Sequence, residues 1–125
     1  MQTIKSNNAP EAVGPYSQAV KAGGFLFISG QIPLNPKTMS MPQDIKEQTK
    51  QCLTNIEAIL KEAGLNLKDV VNCRIYTTKM GDFNLINEVY GTFFNSCKPS
   101  RVCVEVSALP KGALIEIEAT AICGQ

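Results

Sequence analysis

Between Pro99 and Ile122 the sequence PSRVCVEVSALPKGALIEIEATAI sets an arginine, a thiol and carboxylates at alternate positions: Arg101, Cys103 and Glu105, then Glu116 and Glu118. Successive side chains of a strand point to opposite faces. Read as two strands joined by a polar turn, the stretch puts Val102, Val104 and Val106 on one face with Ile115, Ile117, Ala119 and Ala121. Arg101, Cys103, Glu105, Glu116 and Glu118 then share the other face. The plain reading of that face is a solvated surface whose cross-strand ion pairs each contribute a few tenths to ~1 kcal/mol. The sharper reading is a reactive wall. The chain has no histidine, which excludes Ser-His and Cys-His catalysis within it. Proton transfer is left to carboxylates, thiols, tyrosines, lysines, backbone or water. For Cys103 alone, a small packing role is the ordinary expectation of an unactivated thiol in a strand. Cys52 and Cys73 fall on apolar faces and read as core.

The elements that must position these groups belong to one domain, residues 1–125, a length that buries roughly two thirds of the surface of the unfolded chain. Apolar residues make up 44% and charged residues 18%, ordinary for a globular protein and against disorder. The net charge of +1 comes from 12 basic and 11 acidic residues mixed along the chain. No basic stripe supports a nucleic-acid partner. No segment approaches the ~20 apolar residues of a membrane span, and the first residues hold no apolar leader core, so a cytoplasmic protein is expected. Five cysteines without CxxC spacing argue for reduced thiols and against a zinc site. Without a nucleotide-binding glycine motif either, no metal and no organic cofactor is expected.

A short strand is expected near Gln2–Lys5, then a loop at NNAPEAVGP. Apolar runs at Ala19–Ala22 and Phe25–Ser29 flank Gly23-Gly24 and predict a β-hairpin. From about Pro42, Ile45, Thr49, Cys52, Leu53, Ile56, Ile59, Leu60 and Ala63 recur at spacings of three and four, and Gly64 stops the helix. DVVNCRIYTT reads as a strand with Val71, Cys73 and Ile75 on its apolar face. Asp82 can cap a second helix carrying Phe83, Ile86, Val89, Tyr90, Phe93 and Phe94. The order β-β-β-α-β-α-β-β predicts an α+β fold, a mixed sheet with two helices on one face. The second face is left for solvent or another subunit.

GPYSQA (Gly14 to Ala19), SGQIP (Ser29 to Pro33), INEVYGTFF (Ile86 to Phe94) and PSRVCVEVSALPKGALIEIEA (Pro99 to Ala119) together resemble the RidA/YjgF family, also known as L-PSP, over nearly the whole chain. The resemblance implies a chorismate-mutase-like fold and a homotrimer with a cleft between each pair of subunits. It also implies that the uncovered sheet faces line the trimer interior. The substrate-binding arginine of the family carries over to Arg101, its nearby cysteine to Cys103 and its acidic residue to Glu116. Its tyrosine carries over to Tyr16, its strand-end serine to Ser29 and its helix asparagine to Asn87. Taken alone, Tyr16 is an ordinary loop aromatic and Asn87 an ordinary solvent-facing helix residue.

By that resemblance the chain is expected to be a 2-iminobutanoate/2-iminopropanoate deaminase, a hydrolase that converts enamines and imines such as 2-aminoacrylate into 2-oxo acids and ammonia. A guanidinium can grip the carboxylate of such a substrate by two parallel hydrogen bonds, the role expected of Arg101. Glu116 is expected to position water and shuttle a proton. Tyr16 and the backbone near Cys103 would shape the pocket, the Cys103 thiol being secondary because no histidine can deprotonate it. Two alternatives remain: a regulatory trimer that binds a small carboxylate without turnover, and an endoribonuclease that inhibits translation. The lack of histidine and of a basic stripe argues against the second.

Overall fold

Two left-handed glycines close the first hairpin. Gly23 and Gly24 sit at φ 59° and 83°, the backbone of a two-residue type I′ turn, which glycine adopts without strain. They join β2 (Ala19–Ala22) to β3 (Phe25–Gln31) in antiparallel register. A computed structural model describes residues 1–124 of the chain, and in it β1 (Gln2–Ile4) pairs with the free side of β2.

Helix α1 (Ile45–Glu62) begins where the Asp44 carboxylate accepts the Glu47 N–H at 2.8 Å, satisfying a donor that has no intrahelical partner. It ends at Ala63. Gly64 then turns left-handed at φ 77°, and the Leu65 N–H returns to the Leu60 carbonyl at 2.8 Å, the glycine-terminated helix stop that Gly64 suggests. Cys52, Leu53, Ile56, Ile59 and Leu60 form its fully buried stripe. Truncating Leu53 or Ile56 to Ala in so closed a layer should cost about 2–5 kcal/mol. Helix α2 (Phe83–Phe93) buries Ile86 and Tyr90. Asp82 stands just before it but makes no side-chain capping bond, and a 3-10 turn at Met80–Asp82 leads directly into the helix.

With β4 (Val70–Thr77), β5 (Ser100–Glu105) and β6 (Ile115–Ile122), the strands form one mixed sheet in the order β1-β2-β3-β6-β4-β5. The helices cover one face, over the buried Ala19, Leu26, Ile28, Cys73, Ile75, Ile117 and Ala119. The α+β class and the element order are those expected. Neither helix is long and apolar enough to cross a membrane.

The pairing of the C-terminal strands differs from the expectation. β5 and β6 are not neighbours: β4 lies between them, antiparallel to β6 and parallel to β5. Their connection is too long for a tight turn and steps across one strand, roughly 10 Å for two inter-strand spacings. It is pinned to the end of β4, where the Val106 N–H donates to the Thr77 carbonyl at 2.9 Å and the Thr78 N–H to the Leu114 carbonyl at 3.0 Å.

The faces differ as well. Parallel pairing sets Arg101 beside Cys73 and Cys103 beside Ile75, on the helix-covered side, and sets Val102 and Val104 beside Arg74 and Tyr76, on the open side with Glu116 and Glu118. Arg101 and Cys103 therefore do not share a face with Glu116. Alternation separates the valines from Arg101 and Cys103, but it does not say which set faces the helices. At this edge strand the inner side meets the aromatic rim of α2 at Arg101, where a guanidinium stacks as readily as an aliphatic group packs, while Cys103 packs against the core. A smaller slip occurs in β4, where a register shift between Val70 and Asn72 buries Val70 and leaves Val71 exposed. One extra residue in a strand moves its neighbour to the other side.

Candidate functional site

On the helix-covered edge, the Arg101 guanidinium carbon lies 4.7 Å from the centre of the Tyr90 ring and 5.5 Å from that of Phe83. Both distances are within cation–π range. Phe83 and Tyr90 are seven positions apart on α2, two turns along one face. Asn87 falls between them, half-buried, on that same side of the helix. Met80, Phe83, Arg101, Val102 and Cys103 line an open groove here. Arg101 makes no ion pair with any carboxylate among the described residues; the ion pairs found are Lys46 with Glu88 and Arg74 with Glu118.

Burial pushes the Cys103 thiol above its ordinary range, and the nearby Arg101 charge offsets this only in part. Such a thiol stays protonated near neutrality and is a poor nucleophile. Cys73, deeper under α2, is likewise raised by burial. Beside it the Tyr90 hydroxyl is buried without a hydrogen-bond partner among the described residues, and burial first, then the Cys73 thiol, raises that phenol too.

On the open face, Val13, Tyr16, Ser29, Gly30, Ile32, Pro110, Glu116 and Glu118 surround a groove of about 430 Å³. Its floor is β6, and its wall is the loop that enters β2. Gln18, buried, ties that loop down: its side chain accepts the Ser6 N–H at 2.6 Å and donates to the carbonyls of Ser6 and Pro10 at 3.2 and 2.8 Å. The Ser29 hydroxyl donates to the Ser17 carbonyl at 2.6 Å, holding Tyr16, exposed, at the rim.

Gly30 is the residue that this geometry requires. A Cβ there would stand 2.0 Å from Oε2 of Glu116 and 2.9 Å from its Cδ. The carboxylate of Glu116 lies over the bare backbone, at a register shift in β3 between Ile28 and Gln31. A glycine inside a strand pattern signals such a close approach, and SGQ is the one sign of it in the sequence. Burial, and secondarily the charge of Glu118, raises Glu116 above the ordinary carboxylate range. Burial would raise Glu118 as well, but hydrogen bonds from Arg74 and Tyr76 and the Arg74 charge outweigh it and hold that carboxylate below the ordinary range.

The six expected site residues thus fall into two groups. Arg101, Cys103 and Asn87 gather at the β5 edge under α2, whereas Tyr16, Ser29 and Glu116 gather on the open face, with β4 and the thickness of the sheet between the groups. Sequence reading missed Gly30, Gln18, the Phe83–Tyr90 platform, and the roles of Arg74, Tyr76 and Glu118. No group of three or more His, Cys, Asp or Glu among the described residues could hold a metal ion.

The chain is similar to known proteins over nearly its full length. A family model described as Endoribonuclease L-PSP matches residues 6–123. A RutC family protein of Pyrococcus horikoshii is 56% identical over 121 residues, 96% of each chain. The 2-iminobutanoate/2-iminopropanoate deaminase of Escherichia coli is 45% identical over 124 residues, 97% of each. Among solved structures, Escherichia coli TdcF with bound serine superposes with a TM-score of 0.96 at 41% identity, covering 99% of this chain and 100% of that one.

Proposed function

We propose, since this chain belongs to the Endoribonuclease L-PSP family, known also as RidA/YjgF, that it is an imine deaminase whose site is completed between copies of the chain. The observation that carries this reading is Arg101: a guanidinium stacked on two aromatic rings, open to a groove and without a carboxylate partner among the described residues. Such a group is oriented for an incoming carboxylate, which its planar fork can hold by two hydrogen bonds. A 2-imino acid carries that carboxylate next to its C=N carbon.

With the carboxylate on Arg101, we assign Asn87, on the same side of α2 as Phe83 and Tyr90, to a further polar contact with the substrate. Water must then add to the C=N carbon. Glu116, supplied from the open face of a neighbouring copy, takes a proton from that water as its oxygen bonds to carbon, and returns a proton to nitrogen. The hydroxyl of the resulting carbinolamine then gives its proton to Glu116, which passes one on to the nitrogen as the carbon–nitrogen bond breaks, leaving a 2-oxo acid and ammonia. A carboxyl raised by burial and by Glu118 holds a proton more readily at that stage, and proton transfer of this kind contributes ~10² to 10⁴ in rate. Orientation supplies the rest, which suffices for a substrate that hydrolyses slowly by itself.

One chain cannot bring Arg101 and Glu116 together, because they lie on opposite faces of its sheet. Exposed apolar side chains concentrate on the open face at Phe25, Phe27, Val71, Val102 and Val104, a surface suited to burial against further copies. We read the assembly as a homotrimer with three such clefts, to be checked by sedimentation. A stable monomer at micromolar concentration would remove this reading. A trimer that binds a small carboxylate without turnover is the second reading, favoured by the serine bound to TdcF. Generating the imine in place with an amino-acid oxidase and timing its disappearance separates the two, since only a deaminase speeds the loss.

A further inference from the structure

We propose that Glu118 is a positioning residue for Glu116: clamped by Arg74 and Tyr76, it places a fixed negative charge beside Glu116 and governs when that carboxyl holds its proton. The inference rests on the deaminase reading above for its consequence in catalysis, and on the structure for its geometry. Glu116 and Glu118 are two positions apart on β6, facing the same groove, a separation of about 7 Å along a strand. Across the ladder, Tyr76 is the direct partner of Glu116 and Arg74 that of Glu118. The Tyr76 hydroxyl nevertheless bypasses Glu116. It donates diagonally to Oε1 of Glu118 at 2.5 Å, where Nε of Arg74 also donates at 2.9 Å. Arg74 is held in turn by the Asn72 side chain and by the Thr120 hydroxyl, the latter at 3.3 Å.

The two carboxylates therefore have opposite surroundings. Glu118 is held through Oε1 by both Tyr76 and Arg74, whereas Glu116 has no hydrogen-bond or ion-pair partner among the described residues and rests over Gly30. The groups that face Glu116 are Arg74 and Tyr76 of β4, both engaged by Glu118, then Glu118 itself and Tyr16 of the entering loop. β3 offers only Ser29 and Gly30 there, and the 3-10 turn at Pro110–Gly112 offers Pro110. On the far side of the sheet the buried Cys52 thiol feels the Glu116 charge and is itself raised mainly by burial. Two carboxyl groups whose surroundings push them apart are the pattern of an acid–base pair in which one stays ionised and the other exchanges a proton.

The test follows the Glu116 carboxyl directly by carbon-13 NMR titration of the assembled protein, alongside the pH profile of imine hydrolysis. Glu118→Gln should lower the Glu116 titration midpoint. The acidic limb of kcat/KM should move the same way, so that activity in mildly acidic buffer, relative to the plateau, rises several-fold. Glu118→Asp, which keeps the charge, should leave the midpoint close to that of the parent. If the Gln variant does not fold, Glu118→Thr, suited to a strand, takes its place. An unmoved Glu116 midpoint in a folded, assembled variant overturns the proposal, as do Gln and Asp variants that behave alike. If the midpoint shifts as expected while the parent protein does not speed imine loss, the coupling stands and the deaminase reading falls.

Discussion

The β5 edge and the open face of β6 handle charge in opposite ways. Under α2, the Arg101 cation is held by the faces of Phe83 and Tyr90, with no carboxylate partner among the described residues. On the open face, the Glu118 anion is held by Arg74 and Tyr76, and Glu116 has no such partner among the described residues. A ring face fixes a guanidinium without using its N–H donors, so the fork remains available to a ligand. An ion pair commits a donor and an acceptor to each other. The residue we propose to meet a ligand in each region is thus the one its neighbours leave unpaired, with the conspicuous Arg74–Glu118 salt bridge as its support.

The sharpest way to break this comparison is Arg101→Ala. Imine hydrolysis should become unmeasurable while the fold persists, because losing the bidentate contact leaves the substrate carboxylate unmatched, a loss of roughly 2 to 5 kcal/mol. Lysine should rescue poorly, a point charge being no substitute for the fork. Activity, oligomer mass and melting temperature on the same sample decide the matter, and a folded, fully active Arg101→Ala protein would reduce Arg101 to packing.

On the other face, Gly30→Ala should be the next largest effect. The added Cβ meets the flexible end of Glu116, so the side chain swings away and the strand survives. Loss of activity of about a hundredfold, the lower range for a displaced acid–base group, with an unchanged circular dichroism spectrum is the expected result. Unaltered turnover would show that Glu116 need not lie over Gly30.

Glu118→Gln sharpens the contrast through stability. A carboxylate held below its ordinary range adds stability above the pKa of the unfolded chain and loses it as pH falls through the folded one. With the pair part-exposed, the variant should be less stable by about 1 kcal/mol near neutrality. That gap should close in acid. Urea titrations at the two pH values measure it, and a gap independent of pH would refute the ionic account.

Cys103→Ser should have the smallest effect. Its thiol is raised by burial and held protonated, so exchanging sulfur for a hydroxyl should leave most of the imine turnover. A substrate adduct on Cys103 seen by mass spectrometry, with full inactivation of the Ser variant, would give the thiol a covalent role.

Local chemistry makes much of the molecule legible in the sequence itself. Gly23-Gly24 announces its hairpin because few residues tolerate two consecutive left-handed positions. The three- and four-residue spacing from Ile45 to Ala63 and the Gly64 stop delimit α1, because a helix buries one stripe. Alternation at Arg101–Glu105 and Ile115–Ala121 marks strands and separates each into two sets of side chains. The resemblance supplied the candidate residues, but nothing in their spacing showed that Arg101, Cys103 and Asn87 stand apart from Tyr16, Ser29 and Glu116.

That division was decided by tertiary structure alone. Which set of a strand faces inward depends on its neighbour and register, and β5 takes both from β4, with which it pairs through the α2 crossover; the polar connection to β6 was no guide. The groove over Gly30 depends on a register shift in β3 and on a loop fastened by Gln18. These are long-range contacts, and a periodic pattern carries no information about them. The residue types, the helices and the alternation belong to the sequence because they obey local sterics and the burial of one face. The opposition of Arg101 and Glu116 across the sheet belongs to the fold, because strand pairing is a choice between distant partners that local pattern leaves equally good.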